Sequence, residues 1–119
     1  MRPLTKIALD WAIRSFGEDH VTNLPIRALR LAEEAVELAQ ALDVPKEKLL
    51  ELIEIVYSRP KGNLDQEMGG VMMTATVLSA VRGRDPDYFF ACELMRVLAK
   101  PTEHFAKRNQ EKLDLGLKV

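Results

Sequence analysis

The sequence predicts an all-α fold, a helical bundle of five or six helices in a single domain covering residues 1–119. No segment alternates apolar and polar residues over the length of a strand, and no Asn-Gly pair marks a hairpin turn. Apolar residues instead recur three and four positions apart along most of the chain. Proline, glycine and asparagine separate these stretches at short intervals, as between the helices of a bundle.

The first two helices are separated by a polar stretch. The first helix carries its apolar stripe from Leu4 to Ala12 and ends near Gly17, and residues 17–24 are predicted to form a loop. Pro25 suits the first turn of the second helix, with Asn23 as its N-cap. This helix is predicted to continue to about residue 43.

The later helices are bounded by similar signals. A third helix begins near residue 46 and is broken by the stretch 59–62. Asn63 with Gln66 three residues later has the pattern of a capping box, and Asp85 precedes a proline suited to a first helical turn. The last three helices are predicted at about 63–82, 86–99 and 101–112. We expect the second and fourth helices, the longest, to lie at the centre of the bundle.

Composition excludes several classes of protein. Seventeen basic and eighteen acidic residues give a net charge of -1, which argues against a dedicated nucleic-acid or membrane binder. No apolar run approaches the roughly 20 residues of a membrane span, and the first residues lack the apolar stretch of a signal peptide. The single cysteine, Cys92, cannot form an internal disulfide. These features favour a cytoplasmic protein.

The second predicted helix concentrates acidic residues on one side. Glu33, Glu34 and Glu37 lie within about 100° of one another at 100° per residue, and Arg27 and Arg30 lie on the same side. One interpretation is the solvated face of an ordinary amphipathic helix. The other is that Glu34 and Glu37 bind a hard divalent cation through their oxygen atoms.

The fourth predicted helix carries a glutamate among apolar residues. Glu67 is centred on the face that also holds Val71 and Leu78, where a buried, unpaired carboxylate would cost several kcal/mol. Either a cation or a buried Glu–Arg pair would offset that cost. Gly69 and Gly70 follow inside the same helix and together cost about 2 kcal/mol relative to alanine. A crossing helix, a partner chain or a ligand would explain the missing side chains.

The other sides of this helix are also apolar. Met68, Met72, Met73 and Ala80 fall outside the face of Glu67. A helix that is apolar on nearly all sides is not stable against water in a small monomer. We therefore expect an oligomer interface here, with deep burial inside one subunit as the alternative.

The last predicted helix has a basic side. His104, Arg108 and Lys112 are spaced four residues apart. A solvated basic face near the end of a helix explains this spacing, because the helix dipole favours positive charge there. Contact with phosphate groups is the other interpretation.

Two stretches together resemble a known family. Residues 27–38, RALRLAEEAVEL, resemble the first acidic motif of the MazG-like all-α nucleoside triphosphate pyrophosphohydrolases. Residues 56–62, VYSRPKG, followed by residues 66–74, QEMGGVMMT, are similar to the phage-type branch of that family. The resemblance extends from about residue 11 to residue 112.

The resemblance implies a helical dimer or tetramer that uses Mg²⁺, or Mn²⁺ in its place, to cleave nucleoside triphosphates into a monophosphate and pyrophosphate. It implies that Glu33 orients or deprotonates the attacking water. The implied metal ligands are Glu34, Glu37 and Glu67. The basic residues implied to contact phosphates are Arg27, Arg30, Arg108 and Lys112, although the first two would alternatively only neutralise the glutamates.

One position departs from the wider superfamily. Gly70 stands where the second motif has an aspartate, although the phage-type branch has glycine there too. Glu54, on the third helix, is a candidate replacement ligand. The alternative to an enzyme is therefore a non-catalytic oligomeric protein that keeps nucleotide binding or serves as a scaffold. A plain helical scaffold with solvated glutamates is the third hypothesis.

Overall fold

The computed structural model describes all 119 residues and contains seven helices and no strand, which confirms the predicted all-α class. Six of the helices correspond to the six predicted stretches, with ends that differ by at most a few residues. The helices are α1 (Pro3–Phe16), α2 (Glu18–Thr22), α3 (Leu24–Ala41), α4 (Lys46–Tyr57), α5 (Leu64–Val81), α6 (Pro86–Leu98) and α7 (Thr102–Asp114).

Helix α2 lies in the stretch that was predicted to be a loop. Gly17 ends α1 with a φ of 87°, and its N–H donates to the carbonyl of Ile13 at 2.8 Å. The carbonyl of Gly17 then accepts from the N–H of Val21 at 3.1 Å, so the same residue also opens α2. Val21 is the only buried residue of α2. A five-residue helix with one buried side chain has no apolar stripe from which it could be predicted.

The asparagine caps form as the sequence predicts. The side chain of Asn23 accepts a hydrogen bond from the N–H of Ile26, and that of Asn63 accepts one from the N–H of Gln66, each at 3.1 Å. Each bond satisfies one of the N–H groups that the first turn of a helix leaves without a partner. Asp85 precedes α6 but makes no such bond with its side chain.

The chain divides into two compact units. Residues 1–50 and 100–119 form the first, which we call the terminal unit. Within it α1 packs against α7 and α2, and α2 packs against α3. Trp11 contacts Phe16 and the buried Phe105 edge-to-face, with ring centroids 5.4 and 5.0 Å apart. These aromatic rings bring the first and last helices of the chain together.

Residues 51–99 form the second, or central, unit, in which α5 packs against α6. Its buried residues are Ser79 on α5 and Leu94 and Val97 on α6, while α4 has none. The prediction that residues 1–119 form one domain stays a prediction. No helix of the chain is both long enough and apolar enough to cross a lipid bilayer.

The two longest helices are mostly exposed. Helices α3 and α5 each have 18 residues, and each contains a single buried residue. For α5 this follows from its composition, because apolar side chains surround the helix and one side of it packs against α6. The expectation that these helices lie at the centre of the bundle stays a prediction.

Candidate functional site

Helix α3 carries five of the predicted site residues. Its buried residue, Ile26, lies near the start of the helix, and the acidic residues follow two turns later. Glu34 and Glu37 are exposed, whereas Glu33 is only partly exposed. The three carboxylates therefore stand in different surroundings although they are close in sequence.

Glu33 lies against a lysine of the last helix. Its Oε1 atom is 3.0 Å from Nζ of Lys112 and 4.0 Å from Nη1 of Arg30. Arg30 in turn donates a hydrogen bond from Nη2 to Oδ1 of Asn109, at 3.0 Å. We call Arg30, Glu33, Asn109 and Lys112 the α3–α7 cluster, because it connects these two helices of the terminal unit. In this structure the carboxylate of Glu33 neutralises two cations. Its role in positioning water stays a prediction.

The basic side predicted for α7 is divided by this packing. Asn109 and Lys112 contact α3, and they follow the buried Phe105 at intervals of four and three residues. Arg108 is exposed, and it does not belong to the α3–α7 cluster. Of these three residues only Phe105 is apolar, so they give no apolar stripe from which the inward side of this helix could be predicted.

Arg27 contacts a histidine to which the sequence gave no role. Its Nη2 atom lies 2.8 Å from Nδ1 of His20, and its guanidinium is 5.7 Å from the centre of the Phe16 ring. Because a guanidinium only donates hydrogen bonds, Nδ1 of His20 must accept, which places the imidazole proton on Nε2. His20 lies in α2, so its approach to α3 depends on the short helix that the sequence did not reveal.

The surroundings of this pair are electropositive. Burial lowers the pKa of His20 below its ordinary value, and the charges of Arg27 and Arg30 lower it further. Burial also lowers the pKa of Arg27, with the charge of Arg30 as the second cause. The positive charges of Arg27 and Arg30 repel each other, and an additional anion bound beside Arg27 would offset this repulsion.

Several buried polar atoms of the terminal unit have no hydrogen-bond partner. Buried donors nearly always find partners in folded proteins. Oε1 of Glu33 also lacks one, because its 3.0 Å approach to Lys112 is an ion pair without hydrogen-bond geometry. The nitrogen atoms concerned are Nε1 of Trp11, Nε2 of His20, Nε of Arg27 and Nη1 of Arg30. The terminal unit thus has nitrogen donors without hydrogen-bond partners on Arg27, Arg30 and His20.

Glu67 lies in the central unit and is exposed. Its side chain folds back over Gly62: a Cβ atom on that glycine would lie 3.1 Å from Cδ of Glu67 and would overlap its Oε1. Burial of this carboxylate was the reason for expecting a cation or an arginine beside it, and the isolated chain does not bury it. The first turns of α5 are uncovered, so a cation or an arginine beside Glu67 stays a prediction. The sharing of one ion by Glu67 with Glu34 and Glu37 stays a prediction.

The assignment of Glu34, Glu37 and Glu67 as metal ligands stays a prediction. No group of three or more histidine, cysteine, aspartate or glutamate side chains is arranged to hold a metal ion. Glu34 and Glu37 are exposed carboxylates one turn apart on α3, and their oxygen atoms are suitable metal ligands. Mg²⁺ is commonly bound by one or two carboxylates and completes its shell with waters and substrate phosphates, so this pair fits the ion.

The sequence matches no protein-family model, and the chain matches no curated protein and no solved structure. The MazG-like resemblance therefore rests on the motif residues at 27–38, 56–62 and 66–74 alone.

Proposed function

We propose that the chain hydrolyses nucleoside triphosphates to a monophosphate and pyrophosphate in the presence of Mg²⁺. The observation that carries this proposal is the arrangement along α3. Arg27 and Arg30 each have a nitrogen donor without a hydrogen-bond partner, burial lowers the pKa of Arg27, and Glu34 and Glu37 are exposed on the same side of the helix. A metal–polyphosphate substrate needs both kinds of group, because its phosphates attract guanidinium groups and its cation attracts carboxylates.

The α3–α7 cluster supplies the cations for binding. A triphosphate carries more negative charge than one carboxylate, and it would compete with Glu33 for Lys112 and Arg30. Once released from Lys112, the carboxylate of Glu33 is able to accept a hydrogen bond from a water molecule and hold it for attack. Arg30 and Lys112 would then neutralise charge on the phosphates, as cationic side chains do in phosphoryl transfer.

The metal ion has a separate part in this proposal. Glu34 and Glu37 would hold Mg²⁺ together with Glu67, which supplies the acidic residue of the second motif. When bound, Mg²⁺ neutralises phosphate charge and lowers the pKa of a water molecule on it. The carboxylates fix the position of the ion, and the arginines of α3 orient the phosphates relative to it.

A non-catalytic, oligomeric nucleotide-binding or scaffold protein is the second candidate. It is favoured by Gly70, which leaves one carboxylate fewer than the wider superfamily has. This candidate predicts Mg²⁺-dependent nucleotide binding without turnover, or neither of them if the protein is only a scaffold.

The test is a screen of ribo- and deoxynucleoside triphosphates with Mg²⁺ and with EDTA, in which both pyrophosphate and monophosphate are measured. We expect Glu37→Gln and Glu67→Gln each to reduce turnover at least about 100-fold and to leave the helical circular-dichroism signal unchanged. Glu47→Gln is the matched control, because Glu47 is exposed on α4 and belongs to no predicted site. Release of inorganic phosphate, or full activity in either site variant, contradicts the proposal.

A further inference from the structure

The guanidinium of Arg27 is held by two ring side chains. Its Nη2 atom lies 2.8 Å from Nδ1 of His20, and its carbon lies 5.7 Å from the centre of the Phe16 ring. The rings of Phe16 and His20 in turn have centres 5.8 Å apart. Phe16 ends α1, His20 lies in α2 and Arg27 lies in α3. Three helices of the terminal unit therefore contribute to the position of this guanidinium.

Only one form of His20 permits the hydrogen bond. A guanidinium has N–H donors and no acceptor, and a protonated imidazole has donors at both of its nitrogens. Nδ1 therefore accepts from Arg27 only when the imidazole is neutral and carries its proton on Nε2. Nε2 is buried and has no hydrogen-bond partner, so no acceptor of the chain stabilises a second proton on this ring.

The surroundings of His20 favour the neutral imidazole. Burial is the main cause of its lowered pKa, and the charges of Arg27 and Arg30 on α3 are the further causes. From α1 the uncharged ring of Phe16 lies against the imidazole, and both acidic residues of its own helix are exposed. At neutral pH, Nδ1 of His20 is therefore able to accept from Arg27.

An arginine that is ordered before its ligand arrives binds that ligand more tightly. An arginine side chain has several rotatable bonds, and ordering it at the moment of binding reduces affinity. The bond to His20 and the ring of Phe16 impose part of this order beforehand, and the planar guanidinium then presents its other N–H groups in fixed directions. Nε of Arg27 has no hydrogen-bond partner. The guanidinium is thus oriented while one of its donors stays unused.

We propose that His20 is a positioning residue, whose neutral imidazole holds Arg27 in the direction in which the guanidinium binds a phosphate group of the triphosphate. His20 acts through Arg27 and is not itself a catalytic residue. This inference rests on the proposed function, which places Arg27 on the phosphates, and it adds a residue of α2 to those of α3. Because the proposed chemical step depends on the carboxylates and the metal ion, loss of His20 should weaken substrate binding and leave that step unchanged.

The test compares two replacements of the histidine in the full chain. His20→Asn is able to place an acceptor oxygen near the position of Nδ1, and asparagine and histidine have similar helix propensities. His20→Leu removes the acceptor. The probe is inorganic tripolyphosphate with Mg²⁺, and its binding is measured by isothermal titration calorimetry, which requires no turnover. We expect His20→Leu to raise the dissociation constant about tenfold and His20→Asn to raise it less than about threefold, with the helical circular-dichroism signal retained in both.

Two further measurements separate positioning from a merely structural role. With the nucleoside triphosphate that is hydrolysed fastest, His20→Leu should raise KM about tenfold and leave kcat within about twofold of the wild type. The ring-nitrogen chemical shifts of His20, measured by NMR, should place its proton on Nε2 in the wild type. Thr22→Leu, on an exposed position of α2, is the control and should bind tripolyphosphate as the wild type does.

Failure of this inference is distinguishable from failure of the proposed function. A wild type that binds tripolyphosphate but hydrolyses no nucleoside triphosphate contradicts the proposed hydrolysis, and the binding comparison still decides the role of His20. Equal dissociation constants for His20→Leu and His20→Asn overturn the positioning role, because retention of the acceptor would then make no difference. A wild type that does not bind tripolyphosphate, a proton on Nδ1, or a fall in kcat at unchanged KM also overturns it.

Discussion

The ion pair between Glu33 and Lys112 is the contact of the candidate site whose strength the structure allows us to estimate. Two unit charges 3.0 Å apart attract by about 5.5 kcal/mol at an effective dielectric constant of 20. The side chains are 25% and 27% exposed, so desolvation and the ordering of the lysine side chain oppose most of this attraction. We therefore expect a coupling of about 1 kcal/mol, at the upper end of the values for exposed pairs.

The two single substitutions should differ in cost. Lys112→Met removes one cation and leaves Glu33 beside Arg30, which is 4.0 Å away. Glu33→Gln removes the only carboxylate of the α3–α7 cluster and leaves both Arg30 and Lys112 without it. We expect Glu33→Gln to lower the free energy of unfolding by about 1–2 kcal/mol, more than Lys112→Met does.

A double-mutant cycle measures this coupling directly. Urea unfolding of the wild type, Glu33→Gln, Lys112→Met and the double variant would be followed by the fluorescence of Trp11, which lies in the same unit as the pair. All four proteins should be compared at one concentration, because association stabilises the folded state by mass action. A coupling below about 0.3 kcal/mol, or a larger cost for Lys112→Met than for Glu33→Gln, would refute the role given to this pair.

Two further predictions concern the terminal unit. Because the pKa of folded His20 lies below its ordinary value, the unfolded chain takes up a proton first as the pH falls below about 6.5. The free energy of unfolding should therefore decrease from pH 7 to pH 5, and His20→Gln should lose less than the wild type in urea titrations across this range. Phe105, which is 8% exposed, fills the space between α7 and Trp11. Phe105→Ala should lower the free energy of unfolding by about 3–4 kcal/mol and Phe105→Leu by less, in the same urea assay; an equal effect of the two would contradict its packing role.

Features that depend on a few neighbouring residues could be predicted from the sequence. The capping bonds of Asn23 and Asn63 each reach only three residues along the chain, and both helices begin where these residues indicate. The all-α class could be predicted for the same reason, because apolar periodicity is read within one segment and does not depend on which element packs against it. Helix ends and helix class are therefore predictable because they depend on residues that are close together in the sequence.

Features that depend on distant residues could not be predicted in the same way. Lys112 contacts α3 and Arg108 does not, and this difference depends on which side of α7 meets α3. The two helices are far apart in the sequence, since Arg30 and Asn109, which share a hydrogen bond, are separated by 79 residues. The contact of His20 with Arg27 depends on α2, which is too short to show a period. Spacing gives the neighbours of a side chain on its own helix, whereas its partners on other helices follow only from the packing.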